Sequence, residues 1–185
     1  MEAEQVTGSE QIYTGKVLTL RVDRVTLPSG RATTREVVGH PGAVAIVPLL
    51  PDGRAVLVRQ YRHATGETLL EIPAGTRDVP GETPEATAAR ELGEETGYRA
   101  THLTQVLDFY TAPGFCTERM LVYLATGLSR GDQQLMDDEA IAVELVALDD
   151  VPALLARGEL RDAKTIAGLL AARASLQSGS RAVGQ

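Results

Sequence analysis

The sequence predicts an α/β or α+β sandwich preceded by an antiparallel β meander. Three observations carry this. β-rich runs punctuated by turn residues fill the first part of the chain, at 17–27, 31–38, 43–50 and 55–61. One sharply bounded helix follows at 84–96. Strands then return ahead of two helical stretches, 149–157 and 162–174.

Each element has a local reason. Run 17–27 (VLTLRVDRVTL) largely alternates apolar and polar residues, as a half-buried strand does. Pro28, Ser29 and Gly30 form a turn, and 31–38 is the returning strand. Residues 39–42 separate this meander from the rest. Runs 43–50 and 55–61 flank Pro51, Asp52 and Gly53, a hairpin signal. A short strand is expected at 69–72. Thr83 is a good N-cap, Pro84 suits the first helical position and Glu85 the first turn. Gly97 is the expected stop. Runs 106–109, 120–125 and 142–147 are further strands, and the small polar residues 177–185 suggest a frayed tail. The implied organisation is a meander over 1–40, a main domain over 41–176 and that tail.

Composition narrows the function classes. The 185 residues are 43% hydrophobic and 23% charged, ordinary values for a packed domain. A formal net charge of −7 argues against a nucleic-acid binder. The longest nearly unbroken apolar run, 43–50, is too short to cross a bilayer. The acidic start, Met1 to Glu4, does not read as a secretory leader. The single cysteine, Cys116, excludes an internal disulfide. The expectation is a cytoplasmic protein.

The informative segment is 75–98. On a helix turning about 100° per residue, Glu91 and Glu95 share one face, and Glu94 sits beside them. Ala88, Ala89 and Leu92 form the neighbouring apolar stripe, so the carboxylates stand at the edge of the buried face. Three carboxylates within one turn repel each other. The spacing alone fits a solvated acidic face partnered by Arg90. It also fits, though less readily on spacing alone, a site for hard cations, because oxygen ligands favour Mg²⁺ or Mn²⁺ over zinc. Such cations suit hydrolysis of a phosphate or diphosphate.

The whole string resembles the Nudix box, G-x5-E-x7-R-E-U-x-E-E-x-G-U, where U is bulky and apolar. From Glu82 to Tyr98 every specified position matches. The departure is one extra residue between Gly75 and Glu82, ahead of the helix. Outside the box, further segments resemble ADP-ribose pyrophosphatases of this family. They are Arg35-Glu36, Gln60-Tyr61-Arg62, Glu71-Ile72-Pro73-Ala74-Gly75, Thr111-Ala112-Pro113-Gly114-Phe115-Cys116-Thr117-Glu118 and Asp137-Asp138-Glu139-Ala140-Ile141. Pro113 follows Gly97 by 16 residues, a spacing similar to that of the proline associated with ADP-ribose specificity.

The resemblance implies a Nudix-type α/β/α sandwich with a mixed central sheet. It implies two or three Mg²⁺ ions, with Mn²⁺ an alternative, held by Glu91, Glu94, Glu95, Glu139 and the carbonyl of Ala74. Arg90 would orient the glutamates, and Glu139 or Glu94 would act as base. Arg35, Glu36, Arg62, Pro113, Gly114, Phe115 and Glu118 would contact substrate. The implied reaction turns ADP-ribose and water into AMP and ribose 5-phosphate. Alternatives are GDP-mannose, NADH or flavin adenine dinucleotide as substrate, or a non-catalytic ADP-ribose-binding regulator. The meander would exchange between two subunits of a homodimer.

Overall fold

The computed structural model describes residues 2–134 and 140–182, with 177–182 described by backbone alone. The chain forms two compact units. One contains the N-terminal stretch through Gly42 together with Phe109–Arg119, and the other contains Ala43–Asp108 and the chain from Met120 onward.

The first unit is an antiparallel meander of β1 (Gln5–Thr14), β2 (Thr19–Thr26) and β3 (Ala32–Gly39), in that spatial order. β1 is not marked in the sequence because nearly all of its side chains are exposed, so no alternation betrays it. Segment Phe109–Arg119 joins this unit through the end of β3. Val38 N–H donates to Phe115 O at 2.7 Å, and Thr117 N–H donates to Val38 O at 2.9 Å.

The second unit holds β4 (Ala43–Pro48), β5 (Arg54–Arg62), β6 (Glu67–Glu71) and β7 (Ala74–Thr76). Helix α1 (Pro84–Thr96), β8 (Tyr98–Arg99), all but the last two residues of β9 (His102–Tyr110), all but the first of β10 (Arg119–Thr126), and β11 (Ser129–Arg130) follow. β12 (Ile141–Ala147), a 3-10 turn (Leu148–Asp150), α2 (Val151–Ala156) and α3 (Ala163–Ala182) complete it. The central sheet, in order β7-β4-β10-β9, is mixed: β4 runs parallel to β10 and antiparallel to β7. An antiparallel sheet β12-β5-β6 and a two-stranded pair β11-β8 accompany it.

Alternation on β4 and β10 serves two cores. Val44, Ile46, Leu121, Tyr123 and Ala125 pack with Ala88 and Leu92 of α1. On the opposite face, α3 comes so close that a methyl group on Gly168 would lie 3.1 Å from Val47 and 3.3 Å from Val122. The mixed sheet is thus covered on both sides by helices, as expected. Helix α3 runs on to Ala182, through residues where a frayed tail is expected from composition.

Candidate active site

Helix α1 begins and ends where the local chemistry dictates. The Thr83 side chain accepts from Ala86 N–H at 3.2 Å, Pro84 occupies the first turn, and Gly97 adopts the left-handed conformation at φ 72°. Gly97 also has no room for a side chain, since a Cβ there would lie 2.9 Å from Gln133 N and Gly131 O. The last carbonyls of α1 accept from the chain ahead of position 139. Gln134 N–H donates to Glu94 O at 3.0 Å, and Gln133 Nε2 donates to Glu95 O at 2.5 Å. Glu139 itself lies outside the described residues.

Burial of Ala88 and Leu92 leaves the carboxylates graded by exposure along the helix edge. Glu95 is buried, Glu91 is 13% exposed and Glu94 is 34% exposed. Arg90 gathers its neighbours. Its Nη1 donates to Glu91 Oε1 at 2.7 Å and Glu94 Oε2 at 2.9 Å, while Nε and Nη2 each reach Glu82 at 3.2 Å. The bonds to Glu82 first, then Glu91 and Glu94, hold the Arg90 proton far more tightly than usual. The Glu82 carboxyl falls below its ordinary range, chiefly through Arg90. Three carboxylates on one guanidinium leave an excess of negative charge.

Glu95 points the other way along the edge, where its Oε2 accepts from Ala74 N–H at 3.1 Å. This bond ties α1 to β7. The box glycine is steric in origin. A Cβ on Gly75 would fall 1.9 Å from Glu91 Cδ, so only glycine lets that carboxylate lie against the backbone. The donor set is entirely oxygen and carries excess negative charge, which fits a hard divalent cation. Among the described residues, no three acidic, histidine or cysteine side chains already converge on one point. Arg90 holds the place of a counter-ion for Glu91 and Glu94. A cleft of about 440 Å³ opens beside the cluster, lined by Arg90, Gly93, Glu94, Arg99, Asp132 and Gln134 among others.

Arg62, at the end of β5, forms a two-pronged pair with Glu71 on β6, both bonds 2.8 Å long. Glu71 is only 1% exposed and also accepts from Lys164 Nζ. Burial pushes the Glu71 carboxyl up, but Arg62 and Lys164 outweigh it and hold it below its usual value. Arg62 is held protonated chiefly by Glu71, with Glu95 adding to the same field. The partnership of Glu71 with Lys164 is not apparent from sequence, where Glu71 is marked only by the segment ahead of the box and Lys164 looks like an ordinary charged residue.

The other predicted substrate contacts lie in the first unit. Arg35, on β3, pairs with Glu4 through Nε at 3.1 Å and Nη2 at 2.5 Å. Glu36 is exposed on the same strand, opposite Val22. Pro113, Gly114 and Phe115 form a turn in which Phe115 N–H donates to Ala112 O at 3.1 Å, and Phe115 is 57% exposed. Thr111 Oγ1 donates to Glu118 Oε2 at 2.7 Å. His40 Nδ1 lies 3.7 Å from Glu118 Oε1 and 3.1 Å from Gly42 N. His40 is a neighbour that sequence spacing does not reveal.

The comparisons agree with this architecture. The NUDIX domain matches residues 39–169, and the nucleoside diphosphate sugar hydrolase N-terminal domain matches residues 4–38. An ADP-ribose pyrophosphatase of Bacillus subtilis is 46% identical over 164 residues, 88% of each chain. One of Mycobacterium tuberculosis is 44% identical over 172 residues, 92% of this chain and 83% of that protein. A crystal structure of an ADP compounds hydrolase shares the fold, with a TM-score of 0.87 over 98% of both chains at 24% identity. With the box glutamates set along the edge of α1 and both family segments matched in order, this chain belongs to the Nudix family of hydrolases.

Proposed function

We propose that this chain hydrolyses the diphosphate of ADP-ribose, giving AMP and ribose 5-phosphate. The carrying observation is the complete carboxylate edge of α1, locked to the Ala74–Gly75 strand by the bond from Ala74 N–H to Glu95. Relatives bearing the ADP-ribose pyrophosphatase name across most of this chain support the choice of substrate.

The water oxygen bonds one phosphorus and the bridging P–O bond on that phosphorus breaks. Glu139, or else Glu94, takes the water proton. Glu91, Glu94, Glu95, Glu139 and the Ala74 carbonyl would hold two or three divalent cations, Mg²⁺ or Mn²⁺, which would neutralise the diphosphate and lower the pKa of a water. Arg90 keeps Glu91 and Glu94 in place. Arg62 meets diphosphate charge with planar donors, its Nη1 standing outside the pair with Glu71. Arg35, Glu36, Pro113, Gly114, Phe115 and Glu118 recognise the nucleoside and ribose ends.

The active form in this reading is a cytoplasmic homodimer that exchanges its N-terminal segments. β1 is an edge strand carrying exposed Val6, Ile12 and Tyr13, with Val17 and Leu18 exposed beyond it. Such a surface favours pairing with a second copy. The deciding assay follows AMP release from ADP-ribose with and without Mg²⁺, beside GDP-mannose and NADH. Metal-dependent AMP formation, fastest from ADP-ribose, is expected. Faster turnover of another substrate overturns the substrate choice, and binding of ADP-ribose without turnover would make the protein a regulator.

A further inference from the structure

The first turn of α3 carries no part of the Nudix box, yet it reaches the box through buried polar bonds. Lys164 Nζ bonds Glu71, the carboxylate that holds the Arg62 fork, and lies 3.0 Å from Asp162 Oδ2. The same Asp162 oxygen accepts from Thr165 N–H at 2.9 Å and Thr165 Oγ1 at 2.6 Å. Thr165 Oγ1 in turn accepts from Ile72 N–H at 2.9 Å. One helical turn thus grips both the Glu71 side chain and the backbone beside it, two residues ahead of Ala74.

The charges are matched: Glu71 and Asp162 against Arg62 and Lys164. Lys164 is 12% exposed and Glu71 1%, so solvent cannot replace either partner. Without the ammonium, two carboxylates would face Arg62 alone and claim its charge. With it, Arg62 retains positive character while its plane is fixed by Glu71.

We propose that Lys164 is a positioning residue for diphosphate binding, acting through Glu71 to keep Arg62 oriented and available. This rests on the reading of the chain as a nucleoside diphosphate sugar hydrolase with Arg62 at the diphosphate.

The test is a double-mutant cycle on the full-length protein. Lys164→Met should raise KM for ADP-ribose roughly tenfold while changing kcat less than about twofold. Lys164→Arg should restore KM. In an Arg62→Ala background, Lys164→Met should add nothing. Should Lys164→Met not fold, as judged by circular dichroism, Lys164→Gln takes its place in the same cycle. An unchanged KM, or the same rise with Arg62 already removed, overturns the inference. Failure of the underlying reading shows separately, as wild-type protein that does not hydrolyse ADP-ribose. The cycle is then run on GDP-mannose, whose diphosphate poses the same demand, and an additive result there also overturns it.

Discussion

Arg90 and Arg62 are both forked onto glutamates, and the two clusters differ in charge balance and burial. Around Arg90, three carboxylates share one guanidinium and remain 13–34% exposed. Around Arg62, Glu71 is sealed at 1% exposure and met by a second cation, which Asp162 balances. A charge-balanced cluster built on a buried carboxylate fixes geometry and has little capacity for another ion. An unbalanced, half-open one keeps a negative excess that a cation relieves. The same residue types therefore build a rigid support in one place and a reactive edge in the other.

The largest effect should come from the reactive edge. Glu95→Gln keeps an oxygen for Ala74 N–H but removes the charge. It should lower kcat roughly 1000-fold, about 4 kcal/mol of barrier, with the thermal midpoint almost unchanged. Steady-state rates across a Mg²⁺ titration measure this, and full activity at saturating Mg²⁺ would erase the distinction between the two clusters.

The support should respond in stability instead. Glu71→Gln leaves the buried Lys164 and the partly exposed Arg62 against a neutral amide, at a cost of about 3 kcal/mol. The pH dependence has a definite sign. The folded Glu71 carboxyl sits below its ordinary value of 4.5, so its contribution is complete above that pH. It is lost as pH falls through the lower folded value. Urea melts should show a wide gap between wild type and Glu71→Gln at pH 7 that closes below pH 4.5. A gap constant with pH would mean the carboxylate charge contributes nothing.

What the sequence discloses follows the range of the interactions. The limits of α1 are legible because Thr83, Pro84 and Gly97 act within a turn of themselves. The box is legible because its spacing is covalent. The reason for Gly75 becomes visible only when Glu91 is seen against it. Short strands β7, β8 and β11 carry too few residues to show a period. The bond between Lys164 and Glu71 spans 93 residues, and that between His40 and Thr117 spans 77, so neither leaves a local pattern. Phe109–Arg119 joins the meander for the same reason: two bonds to Val38 decide it, not its composition.

The smallest effect on stability should come from an exposed forked pair, Arg35 with Glu4. Its bonds match those of Arg62 and Glu71 in number, but its side chains are 44% and 37% exposed. In water such a pair is worth at most about 1 kcal/mol, since solvent screens the charges and the long side chains lose freedom. Arg35→Ala should therefore barely move the thermal midpoint. If Arg35 serves substrate across a dimer, the same variant should raise KM for ADP-ribose several-fold at unchanged kcat. Light scattering should still report two copies. A monomeric wild type with full activity would remove the partner subunit from the argument and leave Arg35 as an ordinary surface ion pair. The two arginines are almost equally exposed, so a difference in stability between the pairs would point to the buried Glu71 and its second partner, Lys164.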